Sequence, residues 1–410
     1  MRYFLTLFIG LIINSSSLAS QPELLGAISE EDLTKAQELV RLGANPFKSN
    51  ENGDSAVSVG LKTSEGSEVR QWAEALADES ALKARVLRNL IEYNILTVAK
   101  FRAELEEASF YIDAILWDGE TLLGHLCRLK GKEDYISVLL DFGADTEIAG
   151  PDERPPLFSA IHVGNARASD ILISAGANLG ALDDRGLTPL HFTADDWGYQ
   201  SNDAKIARLL IKAGADINAA TESEDTPLYY AILFDRPEIF EVLLDAGADP
   251  DIPSERGMTP LMQIVSQHTP SRLMMAEALI KAGANLDARN VSGRTALHTA
   301  ALMDVLGGEG CCETYEEADA KVAQLIIDAG ADINARDVNG MTPLLFAIVE
   351  KHRRVTEVLL EAGADPNTPN HFGRTPLEIA TLYRDKDLAK SIIMAGADIT
   401  PEIWRRLSSQ

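Results

Sequence analysis

Residues Ala335 to Asn367 read ARDVNGMTPLLFAIVEKHRRVTEVLLEAGADPN, and the fold follows from what this stretch must do. Thr342 stands where a hydroxyl can accept from the free N–H groups that open a helix. Pro343 suits the first helical position, because the N–H it lacks has no partner there. Leu344, Ala347 and Ile348 then recur at helical spacing, as do Val355, Val358, Leu359 and Leu360 after a short break. Gly363 ends the second helix, since a left-handed C-terminal residue is free of steric cost only as glycine. The stretch is thus a turn, a short helix, a second helix and a turn. It cannot bury its own apolar faces and needs copies of itself on both sides.

The copies are present. A Gly-Ala-Asp/Asn stop recurs at Gly143, Gly176, Gly214, Gly247, Gly283, Gly330, Gly363 and Gly396. The helix start precedes it as Gly186-Leu-Thr-Pro-Leu-His191, Thr226-Pro-Leu228, Gly257-Met-Thr-Pro-Leu261, Gly293-Arg-Thr-Ala-Leu-His298, Gly340-Met-Thr-Pro-Leu344 and Gly373-Arg-Thr-Pro-Leu377. Two motifs in fixed relation make this specific, and the pattern resembles the ankyrin repeat, a unit of roughly 33 residues carrying T-P-L-H-x-A. The resemblance implies an all-α solenoid of about eleven helix-turn-helix repeats with short β-turn fingers.

Met1 to about Ser20 stands apart. Arg2 gives a positive start, Tyr3 to Ile13 an apolar run, and Ser17-Leu18-Ala19 fits a small-x-small cleavage pattern. The run is too short to span a bilayer comfortably. Residues 1–20 therefore read as a secretory signal, and no stable membrane insertion is expected after cleavage. Residues 22–118 read as degenerate repeats in register, 119–400 as clear repeats and 401–410 as a C-terminal cap. Stepping 33 residues from Gly43 reaches a worn stop at Leu76-Ala77-Asp78. The following repeat, Ala81 to Phe110, has neither motif, only the amphipathic spacing of Leu87, Leu90, Ile91, Val98, Phe101 and Leu105.

From each stop to the next start position the distance stays at ten residues, whereas from start to stop it grows from 23 to 28, 26 and 37 in three repeats. The insertions, near 195–202, 266–271 and 303–318, fall between the two helices of a repeat and so extend one edge of the array. The longest carries Cys311-Cys312, a candidate redox pair. There is no C-x-x-C or partnered His to suggest metal. Three cysteines are no disulfide framework, and Cys127 falls at a small core position.

Nothing in the chain resembles a nucleophile elbow, a phosphate loop or a zincin motif. No enzyme activity and no cofactor are therefore expected. A formal charge of −26 argues against nucleic acid, which needs a basic face, and allows a basic protein partner. The resemblance implies that His125, His191 and His298 tie neighbouring repeats through backbone hydrogen bonds. It also implies that an unidentified protein binds the finger tips and the exposed end of each first helix, a concave groove. In register those positions are Leu233 and Phe234, Leu302 and Met303, and Leu382 and Tyr383; the tips offer Trp117, Met258, Met341 and Phe372. Asn290-Val291-Ser292 has the form of a glycosylation sequon. The resulting expectation is a non-enzymatic, exported binding module, periplasmic or secreted. The competing readings are a redox or stress accessory using Cys311 and Cys312, and an effector that binds a host protein.

Overall fold

The computed structural model describes residues 21–41, 56, 59, 67–107, 112–116, 119–150, 153–195, 202–302 and 312–408. Two compact lobes emerge, one of residues 1–193 with 197–216, the other of 194–196 with 217–410. Among the described residues the regular structure is α-helical, with one isolated antiparallel bridge between Ile115 and Thr121. No described helix is long and apolar enough to cross a membrane.

In the first lobe Gln21–Ser29 packs on Leu33–Arg41. Glu68–Glu92 and Val98–Glu107 follow. Clear helix pairs then begin with Leu122–Cys127 and Glu133–Asp141, and with Pro156–His162 and Ala166–Ser174. The second lobe repeats the pair from Pro227–Leu233 with Pro237–Asp245 to Pro376–Tyr383 with Lys386–Met394, and closes with Pro401–Ser408. Each pair contributes a buried aliphatic layer: Leu344, Ala347, Ile348, Val355 and Leu359 of the opening stretch are all inaccessible.

The punctuation works as the sequence implies. The Thr342 hydroxyl accepts from the Leu345 N–H, with Pro343 in the first turn. Thr121, Thr226, Thr259 and Thr375 cap their helices in the same way. Gly363 has φ 87°, its N–H donates to Leu360 O, and the Ala364 N–H donates to Leu359 O, which satisfies the last carbonyls of the helix. Between repeats a side chain four residues past one stop accepts a backbone N–H two residues past the next stop. Examples are Asp287 from Asp332 at 2.9 Å and Asn334 from Asp365 at 2.8 Å.

One expectation fails. No break occurs at Leu76-Ala77-Asp78, because Glu68–Glu92 is a single helix of 25 residues. The segment holds neither glycine nor proline and is rich in Ala, Leu, Glu and Arg, so nothing in it stops propagation. Within it Ile91 is buried and Leu87 and Leu90 are half-buried; beyond it Phe101 and Leu105 are buried and Val98 is half-buried.

Candidate interaction site

The groove residues sit where the first helices end. Leu233 closes Pro227–Leu233 and is 39% exposed; Phe234 caps it, half-buried, its ring 5.7 Å from that of Tyr230. Leu382 and Tyr383 close Pro376–Tyr383 at 46% and 44% exposure. Tyr383 also borders a cavity of about 250 Å³, shared with Ile348, Lys351, Leu360, Asp385 and Leu388. The Lys351 ammonium stands 5.5 Å from the Tyr383 ring centre. Leu233 and Tyr383 are four repeats apart, roughly 30–40 Å at the usual helix-layer spacing. They form two patches rather than one.

The other expected contacts divide. Phe372 is 80% exposed at a finger tip. Leu302 is half-buried. Met258 and Met341 are also half-buried, their sulfurs facing the Asn290 and Asn370 amides of the next finger at 3.6 Å. These thioethers help stack the fingers. Asn290 in turn accepts the Ser292 and Arg294 N–H groups, so the sequon asparagine is engaged in its own turn. Trp117, Met303 and Cys311 lie outside the described residues, and Cys312 is placed only as the first residue of a helix.

The motif histidines do not share one role. His298 is fully buried; its Nε2 donates to Met341 O at 3.0 Å in the next repeat, and its Nδ1 accepts the Thr295 N–H. Burial holds its pKa below the usual value, against the opposing pull of the Met341 carbonyl. His191 is equally buried, with Nδ1 2.8 Å from the Thr188 hydroxyl. His125 departs from the pattern: it lies 3.4 Å from Glu92 and 3.7 Å from Glu120, and its Nε2 has no hydrogen-bond partner. Cys127 is buried, and burial pushes its thiol well up.

A further polar feature recurs at one position of the repeat. Counting eleven residues back from each stop glycine gives Lys132, Asn165, Asp203, Arg236, Arg272, Asp319, His352 and Asp385. In seven of the eight the position is the N-cap or first residue of the second helix; Asp319 lies inside Cys312–Asp328. Seven of the eight are buried. Lys132 donates to Ile91 O at 2.6 Å, and Arg236 to Asp195 O at 2.7 Å. In three consecutive repeats of the second lobe the side chains meet. Arg272 Nη1 reaches Asp319 Oδ1 at 2.5 Å, and His352 Nε2 reaches Asp319 Oδ2 at 3.0 Å. Burial pushes the Asp319 carboxyl up, but the His352 hydrogen bond and the Arg272 charge more than offset it and hold the carboxyl below its ordinary range. Beside them His268, Arg272, Leu273, Glu317 and Lys321 line a cavity of about 350 Å³. Among the described residues no cluster of three His, Cys, Asp or Glu is arranged to hold a metal ion.

Paired helices, left-handed stops and stacked turns define a helical-repeat interaction protein. Models of ankyrin repeats match residues 157–254 and 311–403 (three copies) and 256–291 (a single repeat). Together they take in more than half of the chain, which belongs to the ankyrin-repeat family. It is similar to human Inversin, 27% identical over 195 residues, 45% of this chain and 18% of Inversin. The chain thus spans less than a fifth of that relative's length. It is also similar to the ankyrin repeat domain of Bcl-3, a member of the IkappaB protein family, with a TM-score of 0.50 and 25% identity over 59% of this chain and 99% of that one.

Proposed function

We propose that the chain is an exported, non-enzymatic scaffold that holds one protein partner in its groove. The observation that carries this reading is the pair Leu382 and Tyr383. Both are exposed at the end of a fixed helix, and Tyr383 borders a cavity lined by both apolar and charged groups. Exposed apolar side chains on a face that would otherwise be wet mark binding surfaces, and aromatics act as anchors when their positions are already fixed. The net charge of −26 favours a basic partner and faster encounter with it at low salt.

The partner is to be captured with the mature chain from a periplasmic or culture extract. Phe234→Ala combined with Tyr383→Ala should then weaken binding by more than about 2 kcal/mol, the range of interface anchors. Deleting 306–314 should change little. The inserted edge is the second reading, favoured by its cavity of about 350 Å³; the reverse pattern, with circular dichroism confirming both folds, assigns the partner to it. Export rests on the charged, apolar and small-residue order of the first twenty residues. N-terminal sequencing should find the mature chain starting near Ser20 or Gln21; Met1 retained on a cytoplasmic product would refute that part.

A further inference from the structure

The last three fingers differ from those before them. Two residues before the start position stand Asp184, Glu222 and Glu255 in earlier repeats, but Val291, Val338 and His371 in the last three. Each of these fingers, 289–294, 336–341 and 369–374, carries one exposed apolar side chain and one exposed arginine. The apolar residues are Val291, Val338 and Phe372, at 74%, 60% and 80% exposure. The arginines are Arg289, Arg336 and Arg374. Among the described residues no carboxylate pairs with any of the three. Their acidic neighbours in sequence, Asp287, Asp332, Asp337 and Asp365, each accept a backbone N–H instead. Backbone bonds hold the row in place. The Val291 N–H donates to Arg256 O at 3.3 Å, Val338 to Ser292 O at 3.1 Å and His371 to Asn339 O at 2.9 Å. Arg289 Nη1 donates to Arg336 O in the next finger, and Arg336 Nη2 to Pro369 O at 2.9 Å in the one after. Both guanidiniums are thus fixed one repeat apart, with N–H groups left over.

We propose that these three tips bind an acidic segment of a protein partner, extended as polyproline II with a carboxylate at every third residue. Charge complementarity selects the acid: three guanidiniums without a carboxylate stand together in a chain whose net charge is −26. That net charge repels an acidic segment from afar. Exposed charges more than about 8 Å away are largely screened at physiological salt, so at contact the arginines decide. The repeat selects the conformation. Successive tips stand roughly 8–10 Å apart, the usual spacing of packed helix layers. Three residues of polyproline II rise about 9 Å and return to the same face, whereas residues three apart on a β-strand face opposite ways. The residues between the acids meet Val291, Val338 and Phe372, whose exposed apolar surface they cover. Because backbone bonds already fix the tips, little ordering opposes binding. The surface does not use the groove anchors Phe234 and Tyr383, and it selects the opposite charge from the partner proposed there.

Fluorescence polarisation of a dye-labelled (Glu-Pro-Pro)4 peptide, titrated with the full chain at physiological ionic strength, tests this. Binding should be saturable, and (Lys-Pro-Pro)4 should not bind. A peptide of the same composition with its four glutamates adjacent should bind several-fold more weakly. Arg289→Gln, Arg336→Gln and Arg374→Gln combined should weaken binding by about tenfold, the joint effect of three exposed charge pairs. Phe234→Ala with Tyr383→Ala should leave it unchanged, which separates this surface from the groove. No saturable binding, equal binding of either control peptide, an unchanged affinity in the triple variant, or tighter binding of a single-stranded DNA 12-mer would each overturn the proposal. If the triple variant does not fold, Arg374→Glu decides. The Arg374 side chain holds nothing in place, since only its backbone N–H is bonded, to Asn370. Weaker peptide binding by that variant supports the acidic partner, and unchanged binding refutes it.

Discussion

Asp113 and Asp319 are both buried carboxylates, 4% and 5% exposed, and their surroundings shift them in opposite directions. At Asp319 two partners outweigh burial and keep the charged form. At Asp113 burial dominates: the hydrogen bond from the Asp145 N–H at 2.8 Å pulls the pKa down, the Asp145 charge adds to the rise, and the group reaches about 6. The protonated form is therefore the one the fold favours. Its contribution to stability is present below the ordinary value of 3.8 and is lost as pH rises through about 6. The difference corresponds to roughly 3 kcal/mol. Asp113→Asn keeps the acceptor for Asp145 and carries no charge at any pH. Urea unfolding should find it close to the wild type near pH 4 and more stable by up to about 3 kcal/mol at pH 7. A difference that does not vary with pH would show that Asp113 is solvated.

At the scale of the element, two left-handed glycines separate conformational from steric cost. Gly363 has φ 87°, and a β-carbon there would meet nothing within 4 Å. Gly363→Ala should therefore cost only the handedness penalty, about 1–2 kcal/mol. Gly340 has φ 71°, but a β-carbon would stand 2.5 Å from His371 Cδ2 and 2.7 Å from Arg336 Nη2. Arg336 can move aside only by giving up its hydrogen bond to Pro369 O. Gly340→Ala should thus cost about 1 kcal/mol more than Gly363→Ala. Denaturant midpoints that rank the two equally would place the cost in φ alone. These elements were legible because their signals are local: Thr-Pro-Leu opens a helix and Gly-Ala-Asp closes one wherever they occur. The helix Glu68–Glu92 was not, since the period carried past a place where no residue stops a helix. The polar column was hidden for a different reason. Counted forward from the start glycine, insertions displace it; counted back from the stop, every member is polar. Which members meet is a tertiary matter. Nothing local distinguishes Arg236, bound to a carbonyl, from Arg272, bound to Asp319.

For the whole molecule, the governing fact is that each repeat touches only its neighbours, so stability is a chain of local terms rather than one core. Those terms are unequal along the sequence. From residue 119 onward, threonine caps open helices at Thr121, Thr226, Thr259, Thr342 and Thr375. Side-chain rungs join successive repeats in the second lobe, from Asn218–Asp249 through Asp251–Asn285 to Asn367–Asp398. Between Gly43 and Gly143 the sequence has neither the Thr-Pro start nor the Gly-Ala-Asp stop. There Glu68–Glu92 runs as one helix of 25 residues, and its described side chains Leu82 and Val86 are half-exposed. The helices here keep side-chain caps, Ser67 accepting the Arg70 N–H and Thr97 the Lys100 N–H, but residues 67–107 hold no glycine to stop a helix. Local opening should therefore cost least in this segment, where a helix can fray without breaking rungs on both sides. Hydrogen exchange at neutral pH should find protection rising from 67–107 to a maximum within the second lobe, around 227–361. Uniform protection from residue 25 to 400 would mean that the worn repeats share fully in the cooperativity of the rest.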